Sequence, residues 1–347
     1  EASPLVFETG DADGVLRPTG RGPVPLPWLD VAQPLVPMAM HMDDGTPFDG
    51  DPRHALAAAL ERYAARGWQV LAATELEFTL VDDSGDALAP VRNPQTGRRS
   101  SAPGILSMNH MDAFDGFLSA LYDGCATMGI PAQTITSEAG IGQFEVTLHH
   151  QDAMRAADDT WLFKALIRGL ARRHGMAATF MAKPFDDDAG NGMHMHFSVL
   201  DADGHNVFDD GGPGGTATLH AAVAGCLAAM TATTLVFAPH ANSYARLVPG
   251  QHAPTKARWA YETRTAAPRL PGGRPAAWPT PRRGSVPIAH ANPGRGDLAR
   301  PPPGRTVGGR GAQRPRAAQR RHTDRHPRQP RVRPCTAHTP PDHGTRR

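Results

Sequence analysis

The stretch from Thr179 to Leu200, TFMAKPFDDDAGNGMHMHFSVL, sets the pattern for the chain. It opens on a short apolar run, turns through an Asp/Gly/Asn loop at Asp186–Gly192, and then alternates strictly. Met193, Met195, Phe197 and Val199 fall on one side, and His194, His196 and Ser198 on the other. A period of two is that of a half-buried strand, so both imidazoles point the same way. The glycines feeding this strand let a small ligand approach the backbone closely. Alone, His-x-His would read as two histidines on a wet sheet face. Two upstream segments change that reading.

In TELEFTL, Glu75, Glu77 and Thr79 share one face, while Leu76, Phe78 and Leu80 take the other. In GQFEVTL, Gln143, Glu145 and Thr147 oppose Phe144, Val146 and Leu148, and Glu138 precedes this strand in a glycine-broken turn. Carboxylates that converge repel one another and raise one another's pKa unless cations neutralise them. Divalent metal resolves the conflict: an oxygen-rich set suits Mg²⁺, and an added imidazole also admits Mn²⁺. Two metals facing arginine-bearing loops point to phosphoryl chemistry, with Arg on the equatorial oxygens.

Around these strands the pattern alternates strand and helix. Asp51 and Pro52 stand at N-cap and first-turn positions of a helix that Gly67 closes. Strand Gln69–Val81 follows, then a loop over Asp82–Asn109, helix Asp112–Met128 and strand Gln133–Thr136. A long helix over about 152–174, strand Ala177–Ala182 and an Ala-rich helix over Thr218–Phe237 complete the series. The loop from Ala238 then carries Arg246, Lys256, Arg258 and Arg264. Carboxylates on strands and cations on loops predict an α+β enzyme.

At 347 residues the chain has room for a substantial core. No apolar run is long enough to span a bilayer, and the three cysteines, Cys125, Cys226 and Cys335, form no CxxC pair. A soluble cytoplasmic protein is expected. The net charge of +2 hides a split. Residues 271–347 hold 17 arginines against three aspartates, or +14, leaving 19 basic and 31 acidic residues, or −12, in 1–270. That last segment has only five Val, Ile or Leu and no Phe, Tyr or Met. It cannot bury enough apolar surface to offset its chain entropy and is expected to be disordered.

ELEF, the E-x-G-x-G-Q-x-E run at Glu138–Glu145, TFMAKP, GMHMHFS, NSYARLVPGQHAP and the ETR–AA–R–P run together resemble the catalytic domain of glutamine synthetase and the related γ-glutamyl-polyamine ligases. The resemblance covers roughly 10–271. It implies a curved antiparallel sheet with helices behind it over 49–270, a truncated β-grasp piece over 1–48, and the disordered Pro/Arg-rich tail. Glu77, Glu138 and Glu145 resemble the ligands of a first metal that positions the γ-carboxylate of glutamate. Glu75 and His194 resemble ligands of a second metal at the ATP phosphates. Arg246 matches the arginine on the substrate carboxylate, and Gly190 the backbone that meets the amino acid. Ser198 matches a residue beside ATP, and Arg264 and Arg269 the arginines at the transferred phosphoryl group. The implied reaction makes γ-glutamyl phosphate from glutamate and ATP, after which ammonia or an organic amine displaces phosphate.

Four departures qualify this. His252 stands where the flap carries a Glu that binds and deprotonates ammonium, and Ala189 replaces the Asn before the substrate-binding glycine. Most of the β-grasp domain that completes a neighbour's site in the family's homo-oligomeric ring is missing, which argues against a ring. The R-x-E-x-R strand expected about 18 residues after Arg264 is absent, and with it a second-metal carboxylate and a nucleotide-contacting Lys. That absence coincides with the change of composition at Pro268, where a Pro/Arg/Gly/His/Ala tail is what a GC-rich gene yields out of frame. A frameshift is therefore expected, leaving an inactive pseudo-enzyme as the alternative function. A nucleic-acid-binding arm is the weaker alternative, since the tail lacks Lys and has Trp278 as its one aromatic.

Overall fold

The computed structural model describes residues 13–212, 214–249, 253–261, 266–270 and, by backbone alone, 288–289. The first short strands are β1 (Val15–Pro18), β2 (Val24–Pro25), β3 (Pro34–Leu35) and β4 (Met38–His41), paired as β1–β4 and β2–β3. Helix α1 (Pro52–Ala64) follows, then the long strand β5 (Gln69–Asp82), β6 (Ala89–Pro90), α2 (Met108–Ala113) and α3 (Asp115–Met128). Next come β7 (Ala132–Ser137), β8 (Gln143–Leu148), β9 (Gln151–Asp152), α4 (Ala153–Arg173), β10 (Ala177–Thr179) and β11 (Met193–Leu200). Helices α5 (Ala217–Met230), α6 (Thr234–Phe237) and α7 (Ala241–Arg246) precede β12 (Ala260–Tyr261), β13 (Arg269–Leu270) and β14 (Ile288–Ala289).

Strand β5 is the spine. The sheet runs β14–β11–β5–β8–β7, all antiparallel, with β6, β9 and β10 also paired to β5. Its even-numbered residues Ala72, Leu76, Phe78 and Leu80 are buried against the helices. Phe78 stacks on Phe144 at 5.9 Å and meets Phe117 edge-on at 6.3 Å. Each such pair contributes about 1 kcal/mol beyond the area it buries. Leu162, Phe163, Leu166 and Ile167 of α4 complete that core. Burying one face of β5 this firmly fixes its register, so the other face must carry Glu75 and Glu77.

Asp51 caps α1 through Arg53 N at 2.9 Å, and its other oxygen accepts from Met40 N at 2.9 Å. Gly129, at φ 64°, ends α3 in the left-handed conformation that glycine tolerates best. Two expected helices are each divided. The 112–128 segment starts earlier, at Met108, and breaks at Phe114, whose φ of −106° and ψ of 13° interrupt the turn. The 218–237 segment breaks between Met230 and Thr234. There Thr233 Oγ1 donates to Ala229 O at 2.9 Å and Thr234 Oγ1 to Met230 O at 3.1 Å, so hydroxyls compete with the helical ladder. Strand β10 stops at Thr179, short of the expected Ala182. Within the stretch from 271, Ile288 and Ala289 pair with Met195 and His194 along the edge of β11. The remainder of the expected disordered tail lies outside the described residues.

The N-terminal strands are held to the helices by charge and by one aromatic. Asp159 on α4 is fully buried and accepts from Arg21 Nε at 2.7 Å, Arg155 Nε at 2.9 Å and Gln151 Nε2 at 2.8 Å. Arg21 also donates to Met128 O at 2.6 Å. The Trp28 ring lies against Gly169, where any Cβ would collide with the indole.

Candidate functional site

Register builds the centre of the site. Glu75 stands opposite His194 of β11 on one side and Thr147 of β8 on the other. Glu77 stands opposite Glu145, and Glu145 opposite Thr136 of β7. Two like charges directly across an antiparallel pair destabilise the sheet unless something neutralises them.

The ligand atoms of Glu75, Glu145 and His194 all lie within 4.8 Å of one another. His194 Nδ1 is 2.9 Å from Glu75 Oε2. His196 Nε2 is 3.0 Å from Glu75 Oε1, within ion-pair distance but out of line for a hydrogen bond. Burial pushes the Glu75 carboxyl up, but the two imidazoles outweigh it and hold it well below the usual carboxylate range. Glu145 goes the other way. Burial, then the charges of Glu75, Glu77 and Glu138, push it up to about 7, with His194 only partly offsetting them. Carboxylate oxygens crowded beside one imidazole, with one carboxyl driven toward protonation, fit a divalent cation of the Mg²⁺ or Mn²⁺ kind. Of the two sets of metal ligands expected separately, Glu145 of the first is grouped here with Glu75 and His194 of the second. Glu138 is half-buried, its backbone N–H bonded to Gln143 O at 2.9 Å.

Glu77 is drawn from this cluster toward the glycine loop. Its Oε2 accepts from Gly192 N at 2.8 Å and Gln143 Nε2 at 3.1 Å. Arg246, at the end of α7, lies over that loop. A Cβ on Gly192 would come within 2.5 Å of Arg246 Nη2 and 3.4 Å of Glu77 Oε1. A Cβ on Gly190 would strike the Ala182 carbonyl and come within 2.9 Å of Arg246 Cγ. Burial pulls the guanidinium's pKa down, against the charge of Glu77. Ser198 lines a small cavity of about 100 Å³ with Glu75, Thr147 and His196. Arg269 pairs through its backbone with Ala260 and is only half-buried. His252 and Arg264 lie outside the described residues.

The residue pattern did not single out the polar layer beneath Glu77. Gln143 Nε2 is also 3.0 Å from both Gly190 O and Asn191 Oδ1, and Asn191 Oδ1 accepts from Thr79 Oγ1 at 3.0 Å. Asn191 Nδ2 donates to Met181 O at 2.9 Å, and the ammonium of buried Lys183 donates to Asp188 O. These bonds fix the loop that presents Gly190 and Gly192. For Gln143 the signal was its place on the carboxylate face. For Asn191 and Lys183 the pairing is tertiary.

The chain matches the family described as glutamine synthetase, catalytic domain, over residues 49–293. It is 37% identical over 240 residues to gamma-glutamylputrescine synthetase PuuA of Escherichia coli (strain K12), covering 68% of this chain and 51% of that protein. It is 33% identical over 261 residues to a glutamine synthetase of Pyrococcus horikoshii, covering 75% of this chain and 56% of the relative. Gamma-glutamylethanolamide synthetase GlnA4 of Streptomyces coelicolor is 31% identical over 248 residues, 71% of this chain and 53% of the relative. A solved structure titled "GmaS/ADP complex-Conformation 1" superposes with a TM-score of 0.68 at 28% identity, over 80% of this chain and 62% of that one. The chain thus spans about half the length of the curated relatives it matches. This chain belongs to the glutamine synthetase family, and residues 49–293 match its catalytic domain.

Proposed function

We propose that this chain carries the site of an ATP-dependent γ-glutamyl ligase whose acceptor is an organic amine. The observation that supports it most is the meeting of Glu75, Glu145 and His194 beside Glu77, with Arg246 lying over two glycines. In this reading Arg246 holds the carboxylate of glutamate, and Gly190 and Gly192 leave room for the amino acid against the backbone. Glu77, Glu138 and Glu145 would hold one divalent cation and Glu75 with His194 another; when bound, such cations neutralise charge on carboxylate and phosphate oxygens. A γ-carboxylate oxygen attacks the γ-phosphorus of ATP, and the bond to ADP breaks. The amine nitrogen then attacks the γ-carbonyl carbon, phosphate leaves with the bonding pair, and the amine gives up a proton. Arg264 and Arg269 would face the transferred phosphoryl group, Ser198 the nucleotide and His252 the amine.

Two things support an organic amine over ammonia. His252 replaces a carboxylate that would attract ammonium, and a neutral imidazole offers no such charge at neutral pH. The putrescine-named relative also matches at higher identity than the glutamine synthetases quoted. The division into 1–48, 49–270 and 271–347 belongs to this same proposal, as does the loss of the family's ring assembly. So does low activity of the chain as it stands, because the second-metal carboxylate and the nucleotide Lys are absent from its sequence.

The test measures γ-glutamyl hydroxamate formation with Mn²⁺ and ATP. It compares the 1–347 chain with a gene whose reading frame is restored after codon 268. The restored form should be active and should prefer mono- or polyamines to ammonia. No hydroxamate from the restored form would sink the ligase reading. Equal activity in both would sink the account of the tail.

A further inference from the structure

Helix α4 carries Lys164, Arg168 and Arg172 four residues apart, so the three cations form one stripe along it. Arg172 is neutralised by a two-pronged bond to Asp83, at 2.7 and 2.5 Å. Lys164 and Arg168 have no carboxylate within ion-pair distance among the described residues. Both lie over the Phe180 ring instead, Lys164 Nζ at 5.6 Å and Arg168 Cζ at 5.1 Å from its centroid. Like charges one turn apart repel, and among the described residues the Phe180 ring, not a carboxylate, is what offsets that cost. Burial, and then Arg168, pull the Lys164 ammonium below the usual lysine range, as expected of a cation waiting for a counter-charge.

The pair lines a cavity of about 480 Å³ between α4, β10, the glycine loop and the α6–α7 segment. Phe180, Met181, Val236, Phe237 and Leu247 supply apolar wall. The other titratable groups lining it are Glu77 and His240. Glu77, which accepts from Gly192 N and Gln143, keeps its negative charge at one end of the cavity, and Lys164 and Arg168 leave the lining with a net positive charge. The volume is in the range of small-molecule sites, which are mostly apolar with a few fixed polar groups.

We propose that this cavity binds a small organic anion, a carboxylate or a phosphate monoester on an apolar body. Lys164 and Arg168 hold the oxyanion and Phe180, Met181 and Phe237 hold the body. The guanidinium fork takes two oxygens, and the ammonium takes the third of a phosphate monoester or shares one of the two on a carboxylate.

Titration calorimetry on the full chain without metal, using benzoate, phenyl phosphate and inorganic phosphate, tests this. Both organic anions should bind, and inorganic phosphate should bind at least about tenfold more weakly, having no body to bury. The stronger of the two organic anions identifies the oxyanion class. Lys164→Gln with Arg168→Gln should weaken both by about tenfold or more, since the two cations that meet the oxyanion are gone. Val236→Glu, at a 74% exposed rim position that leaves α4 untouched, should weaken them as well. Failure of both organic anions to bind, or binding unchanged in these variants, would each overturn the proposal.

Discussion

Glu145 is half-buried among three other carboxylates, and its behaviour depends on what neutralises it. Its folded value of about 7 lies above that of an unfolded glutamate. The stability it contributes to the metal-free chain is therefore fully present below the unfolded value and lost as pH rises through about 7. Glu145→Gln removes that loss. In chelator, denaturant titration should show the variant more stable than the parent by about 2 kcal/mol at about pH 8, with the gap closing toward about pH 5. Mn²⁺ should reverse the order, since the variant loses an anionic ligand and about tenfold to a hundredfold in affinity. A gap independent of pH would show that the neighbouring carboxylates do not act on Glu145. Cys125 gives a second check at this scale. Burial, then Asp159, push its thiol up to about 12, so thiolate is scarce at about pH 8. Its alkylation in the native chain should be at least about a hundredfold slower than in urea. Mass spectrometry of the Cys125 peptide measures this.

At the scale of elements, the sheet depends on β5 more than on any other strand, because β6, β8, β9, β10 and β11 all pair with it. Phe78 anchors its buried face with no exposure and three aromatic neighbours. Phe78→Ala should cost about 4 kcal/mol in chemical denaturation, a large cavity in a packed core. The strands that carry Glu75, Glu77, Glu145 and His194, and the face each takes, were legible in the residues because alternation is a local signal with one solution once the other face is apolar. Which carboxylates meet was less legible. The pairing of Glu77 with Glu145 and of Glu75 with His194 is a matter of register between distant strands. The breaks at Phe114 and Thr231–Thr233 were also missed, because an Ala-rich or amphipathic window averages over a single competing backbone geometry or hydroxyl. Arg246 over Gly190 and Gly192 follows from a tertiary approach; the sequence offered two glycines and an arginine, and only the family pattern joined them.

At the scale of the molecule, the chain joins an acidic body to a basic tail, and a short N-terminal piece is held to that body by a buried charge cluster and by Trp28. Arg21→Met leaves Asp159 with Arg155 and Gln151 alone and strips a donor from Met128 O. It should destabilise the whole by about 3 kcal/mol, at the low end for breaking a buried pair because a second arginine remains. A loss confined to the N-terminal strands, with the melting of α4 unchanged in circular dichroism, would contradict the coupling.

The cluster around Asp159 also bears on the sequence of events when the protein opens. Arg21 and Arg155 close the C-terminal carbonyls of α3 at Met128 and Gly129, while Arg21 also carries the strands before it. The exposed ribbon of β1 and β4 therefore shares its fate with two core helices instead of fraying first. Its paired amides, though solvent-facing, should exchange with deuterium only through the same large-scale opening that releases α4, in a single cooperative unit.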